Sequence, residues 1–432
     1  MKELNNTGIV RAYAVNIREY VVNKRINQTL FLTIVVLLTA CVDSEGEGTD
    51  IPTSPEFDFT GMMANYADAV ILPTYERFGA RTATLSDAQG PIASYCTSIG
   101  SENETATLTA ARMEWLQSMA TWQEAEAYLV GPASANGGSI RNSIYSFFSG
   151  SPLSTCAIDQ AVVLAQDPGF NINSRSFNQR GLDALEYLLF NEDLSHTCPA
   201  QIVETVDWDL RPELERKQLR CDYAIDIAND LNQSSNTLTD QWQPAGSNYR
   251  SHFVDPQNLA ENFQALSESL FYIELETKDT KLGIPTGIKD DCSQLTCPSA
   301  VESPFSDAAL GNIRANLIGF RDGLTGVMGL GFDDIIASEG FSSVNDNFLN
   351  NIDMAIALID SMNSPLLDQL QTIDLSGTDA DCINSAANPD SVQTVPACSL
   401  HGFLKRITDS LRTEFIVIVD VELPDRAGGD ND

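Results

Sequence analysis

Two carboxylates stand close together on one apolar helix, in the stretch Arg180-Gly181-Leu182-Asp183-Ala184-Leu185-Glu186-Tyr187-Leu188-Leu189-Phe190. At 100° per residue, Leu182, Leu185 and Leu189 share one stripe and Glu186 falls beside it. Asp183 and Glu186 are three residues apart, so their carboxylates are neighbours on one face. A carboxylate pressed against an apolar face must be paired, hydrogen-bonded, metal-bound or protonated, because desolvating a bare charge costs several kcal/mol. Arg180 or a backbone donor would satisfy it in the bland case; a site would do so in the sharper one. Glu126 repeats the pattern, in line with the core-type stripe Leu108, Trp115, Met119, Trp122 and Leu129. Trp122 and Glu126, at i and i+4, put an aromatic and an acid on one inward face. Arg141, with few other basic residues near it, is either a solvated side chain or a counter-ion for buried acids.

These residues suit some chemistries better than others. Metal hydrolysis needs two or three His or carboxylate ligands and an open position for water. His-Glu-x-x-His is absent, and only His196, His252 and His401 exist; they read as loop or surface residues. Asp183, Glu186 and Glu126 could hold a hard cation such as calcium, iron or magnesium through oxygen, with zinc as a further candidate. A nucleophilic triad has no support: Gly-x-Ser-x-Gly does not occur, and Ser306, beside Glu302, has no identifiable His. The balance leans against catalysis.

The helices that must position these groups show in the hydrophobic spacing. Leu259, Phe263, Leu266, Leu270 and Ile273 keep a 4-3-4-3 rhythm, as do Phe348, Ile352, Ala355, Ile359 and Met362. Leu310, Ile313, Leu317 and Leu324 make a similar face. Residues 57 to about 88 read as a helix kinked at Pro73. Period-2 alternation is nearly absent, so the chain is expected to be all-α, in two helical bundles at 57–200 and 201–424. Thr280–Ser303 and Asp374–Cys398 read as long loops, and Asp374, Asp379 and Asp381 lack EF-hand spacing. An acidic tail, 425–432, follows.

Several of these pieces resemble the imelysin family, also called peptidase family M75. Its motif Gly-x-His-x-x-Glu, followed by Tyr-Leu-Leu-Phe-like residues, is similar to Gly181 through Phe190, with Asp183 standing at the His position. Trp122-Gln123-Glu124-Ala125-Glu126 followed by Gly131-Pro132 resembles a second family segment. Lys281-Leu282-Gly283, Pro285, Gly287, Glu302-Ser303-Pro304, Ser306 and Asn316 resemble a third. The likeness covers most of residues 57–424. It implies an exported protein of two bundles related by duplication, with a cleft site between them at which Asp183, Glu186, Glu126, Arg141, Glu302 and Ser306 are candidates. It also implies an association with iron uptake, and for some members metal-dependent peptidase activity.

Composition and the N-terminus agree with export. Lys24-Arg25 precede the apolar run Leu30–Leu38, too short for a comfortable membrane span, and Leu38-Thr39-Ala40-Cys41 reads as a lipobox. Residues 1–40 are therefore expected to be a lipoprotein signal peptide and Cys41 the lipid-bearing first mature residue. Residues 41–56 would be a flexible tether, and Val42 would favour the outer membrane, on its periplasmic or surface face. With 25 Lys+Arg against 60 Asp+Glu, the net charge of −35 argues against nucleic acid or anionic lipid surfaces as partners. Eight further cysteines, an even number, suit disulfides in an exported protein. Neighbour pairing gives Cys96–Cys156, Cys198–Cys221, Cys292–Cys297 and Cys382–Cys398.

Overall fold

The apolar rhythm of the sequence becomes a stack of helices in a computed structural model, which describes residues 57–147, 153–424 and 427. Among these there is no β-strand. The signal segment 1–40, the Cys41 lipobox, the tether 41–56 and most of the tail lie outside the described residues. The elements that matter here are α1 (Leu72–Ser86), α2 (Pro91–Ser98), α3 (Glu104–Ala125), α4 (Ala135–Ile144), α5 (Thr155–Leu164) and α6 (Gly181–Phe190). They are followed by α7 (Glu213–Trp242), α8 (Leu259–Ser269), α9 (Ala309–Thr325), α10 (Ser342–Ser361), α11 (Ala380–Ala387) and α12 (Pro396–Ser410).

The predicted stripes of α3, α6, α9 and α10 largely face the core. Trp115, Met119 and Trp122 of α3 are fully buried, and Trp122 lies 5.0 Å from Phe78 of α1, centroid to centroid. Fully burying such side chains contributes roughly 1.5–3 kcal/mol each. The bend expected at Pro73 is taken up just before it, where Tyr66–Ile71 widens into a π-helical segment between the helix Phe59–Asn65 and α1. That widening accommodates a residue with no N–H to give.

Two expected loops are partly helical. Ile273–Gly283 continues beyond α8 as an 11-residue π-helix, so Lys281 sits in a buried helix and not on a loop. Within 374–398, α11 forms, and Asp374 and Asp381 accept hydrogen bonds from Thr296 and from the Thr394 and Val395 amides. These acids hold turns.

The long helix α7 packs along α1, α2, α4 and α6. The described residues from Phe57 onward form a single compact unit. This packing corrects two disulfides. Cys221, on α7, bonds to Cys96 on α2, and Cys156 bonds to Cys198. Pairing by sequence proximity fails because α7 returns across the first helices. Cys292–Cys297 and Cys382–Cys398 form as expected. The Cys96–Cys221 bond closes 125 residues, a loop for which chain entropy alone gives about 5 kcal/mol, against about 2 kcal/mol for the five-residue span of Cys292–Cys297.

Candidate functional site

The N-terminus of α6 is placed by Gly181. Its φ of +83° is left-handed, and a Cβ there would stand 2.7 Å from the Ile144 carbonyl oxygen. Only glycine lets α6 start against the backbone of α4. Gly181→Ala should cost about 2–4 kcal/mol by combining backbone strain and overlap. The check is urea unfolding; a loss under about 0.5 kcal/mol would mean the helix start can shift freely.

Asp183 and Glu186 then lie side by side, both buried, on one wall of a cavity of about 410 Å³. Its other walls include Tyr145, Phe147, Leu153, Ile284, Val301 and Phe305. Glu186 Oε1 accepts three hydrogen bonds from the 303–306 turn: the Phe305 amide at 3.0 Å, the Ser306 amide at 2.8 Å and the Ser306 hydroxyl at 2.8 Å. Asp183 accepts from the Ser146 hydroxyl and from the Ala184 amide at 3.1 Å. Burial nevertheless dominates. It pushes the Asp183 carboxyl up to about 7 and Glu186 up to about 8, the donors offsetting only part and the Asp183 charge adding to the Glu186 rise. Arg180 does not serve them. It pairs with Asp230 of α7 at 3.2 Å.

Glu126 lies in a different cluster. The end of α3 tightens into the turn Glu126–Tyr128, and Trp122 Nε1 donates to Glu126 Oε1 at 3.1 Å. The Tyr272 hydroxyl donates to its other oxygen. Lys281, fully buried, reaches Glu126 at 3.4 Å, Glu302 at 3.1 Å and Asn316 at 2.8 Å, and also donates to Gln123. Glu302 Oε1 further accepts from Gln123 at 3.1 Å and from the Tyr145 hydroxyl at 2.7 Å. Burial raises the Glu126 carboxyl against the opposing pull of Lys281. This network joins α3, the π-helix, the 298–306 turn and α9. Gly319 lets α9 in, since a Cβ there would stand 2.1 Å from the Glu124 carbonyl oxygen.

Tyr145 is common to both regions, lining the cavity while donating to Glu302. Arg141 stands apart. Its Nε donates to Asn142 at 3.1 Å, its guanidinium folds over Gly138, and it acts on Glu126 only as a minor lowering charge. Among the described residues no His lines the cavity. His196 lies 3.7 Å from Asp209, His252 stacks on Tyr249, and His401, expected at the surface, is fully buried in α12.

The structure thus brings Asp183, Glu186 and Ser306 together and groups Glu126 with Glu302 around Lys281. Sequence reasoning missed Lys281, Gln123, Tyr145, Tyr272 and Ser146 as participants. The usable signal was a demand: two core-facing acids require a buried cation, and Lys281 was in a segment read as loop.

A profile of the family described as Imelysin, peptidase M75, matches residues 71–385. The chain belongs to the imelysin family. An imelysin-like protein from Psychrobacter arcticum 273-4 superposes with a TM-score of 0.59 at 16% identity, covering 85% of this chain and 96% of that one. A structure named as an iron-regulated protein A precursor, from Parabacteroides distasonis ATCC 8503, gives 0.57 at 17% identity, covering 85% and 99%. At such identities the likeness carries the fold. No curated protein matches. In this imelysin the metal expectation has a poor footing in the donor set. Both Asp183 oxygens and Glu186 Oε1 already accept hydrogen bonds, and among the described residues no group of three or more His, Cys, Asp or Glu is placed to hold an ion. A resident cation of the calcium type takes six to eight oxygens.

Proposed function

We propose that this imelysin is an exported, lipid-anchored binding protein of iron uptake that captures an oxygen-rich iron chelate in the Asp183–Glu186 cavity. One observation carries the reading: two adjacent buried carboxyls, raised to about 7 and about 8, face a cavity with apolar walls. Near neutral pH Glu186 mostly keeps its proton and Asp183 is about half protonated, so the pair can donate a hydrogen bond, which suits ligand oxygens better than a bare cation. A chelate brings its own metal donors, so two protein carboxyls suffice. The neighbour named for iron regulation supports the process. The lipobox at Cys41 supports an anchor, with the outer membrane as the site and other iron-uptake components as partners. Hydrolysis has less support, because Ser306 donates its hydroxyl and its amide to the same Glu186 oxygen, an anchoring arrangement.

The test is calorimetric titration of the chain lacking residues 1–41 with ferric citrate, ferrous ion and calcium. Ferric citrate should bind near 1:1 and weaken about tenfold or more in Asp183→Asn or Glu186→Gln. Binding of the bare ions alone would replace the chelate with a cation, and peptide cleavage abolished by Glu186→Gln would move the reading to a peptidase.

A further inference from the structure

Among the described residues lining the Asp183–Glu186 cavity there are two acids and no Lys or Arg. We infer that this cavity selects an iron chelate of zero net charge with an apolar rim, of the hydroxamate type, over polycarboxylate or catecholate complexes. The inference rests on the capture of a chelate in this same cavity.

Charge is the first ground. The chain carries a net charge of −35, and Asp183, raised only to about 7, leaves a partial negative charge on the wall near neutral pH. An anionic chelate entering here gives up its water and meets no counter-ion. Two of the hydroxyls in the lining are already spent. Tyr145 donates to Glu302 at 2.7 Å, and Thr280 donates to the Leu275 carbonyl at 2.8 Å. Hydroxamate differs from citrate and catecholate on this point: three hydroxamates cancel the charge of ferric iron, whereas the other complexes stay anionic.

The acids themselves leave one matching donor. Glu186 is 1% exposed, and its Oε1 takes all three hydrogen bonds from the 303–306 turn. Its Oε2 has no hydrogen-bond partner among the described residues and is not sealed in, so it is the oxygen that faces the cavity. Glu186 is raised to about 8, so near neutral pH Oε2 carries an O–H, a donor without charge. One such donor suits one metal-bound hydroxamate oxygen, whose charge the iron already offsets. Phe147, Leu153, Ile284, Val301 and Phe305 then receive the carbon groups on the rim of the complex. At about 30 Å³ per water, the 410 Å³ space has room for about 14 non-hydrogen atoms, the size of a small tris-hydroxamate complex.

The probe is the neutral tris(acetohydroxamate) complex of ferric iron, titrated by calorimetry at pH 7 into the chain lacking residues 1–41, beside ferric citrate. The neutral complex should bind about tenfold or more tighter than ferric citrate. Its affinity should also hold within about twofold between about 10 and 150 mM salt, since no net charge is there to be screened. Ile284→Lys sets a cation at a partly exposed position of the lining and should reverse the preference. Should that variant fail to fold, the parent's preference and its salt response decide. Ferric citrate binding as tightly as the neutral complex, or a folded Ile284→Lys that leaves the preference unchanged, overturns the selectivity while capture of a chelate stands. Binding of neither complex overturns both.

Discussion

Lys281→Met should destabilise this imelysin by about 3–5 kcal/mol at pH 7, among the largest losses any single substitution in it would cause. Lys281 is fully buried and is the cation that holds Glu126 and Glu302 within 3.4 Å and 3.1 Å. Methionine fills similar volume, so little of the loss comes from packing. It comes from leaving two acids without their counter-charge in a low-dielectric setting. Glu126, already raised by burial, would then lose the charge that pulls it down and be driven to hold its proton. The sign with pH follows: the deficit against the parent should shrink as pH falls, because protonated acids no longer need the cation. Urea unfolding at pH 7 and pH 5 measures this, together with the double variant Lys281→Met/Glu302→Gln. The double variant should recover part of the loss, giving a coupling energy above about 1 kcal/mol. A deficit under about 1 kcal/mol at pH 7 would mean that Lys281 is not the charge on which the acids depend.

Seen from that lysine, what the sequence made legible and what it hid divide along physical lines. Helical faces were readable because a 3.6-residue apolar rhythm has one simple cause, and α3, α6, α8 and α10 lie where that rhythm runs. The pairing of Asp183 with Glu186 was readable for the same reason, being local to one helix. What crossed the chain was not. Glu186 is held by Phe305 and Ser306, about 120 residues away, and Glu126 by Tyr272 and Lys281, about 150 away. Lys281 was hidden further by the π-helix around it, whose widened turns break the apolar rhythm and leave glycine and charge where a loop is expected. The two long-range disulfides failed likewise, since the return of α7 over α2 is a tertiary event with no local signal, whereas the two that close short loops form as expected.

The pH response of Glu186→Gln is the second large effect. In the parent, Glu186 is raised from 4.5 to about 8 and Asp183 from 3.8 to about 7, both chiefly by burial. A folded value above the unfolded one means that between the two the native state holds more protons. Stability therefore falls as pH rises through that window and levels off above about 8. Taken alone, each group accounts for a loss on the order of 4 kcal/mol between its unfolded and folded values. Glutamine keeps the oxygen that accepts from Phe305 and Ser306 and carries no titrating proton. The stability of Glu186→Gln relative to the parent should thus climb between about pH 5 and 8, at up to roughly 1.4 kcal/mol per pH unit, and then stay flat. Comparing the two proteins cancels the titration of the remaining acidic surface. A flat difference would mean Glu186 ionises as it does in the unfolded chain, and a falling one that the three donors outweigh burial. The same protons bear on ligand capture. If they donate to the oxygens of a chelate, affinity in the parent should weaken as pH rises through about 7 to 8, while Glu186→Gln, with an amide N–H in place of the acid proton, should lose affinity overall but keep less of that pH dependence.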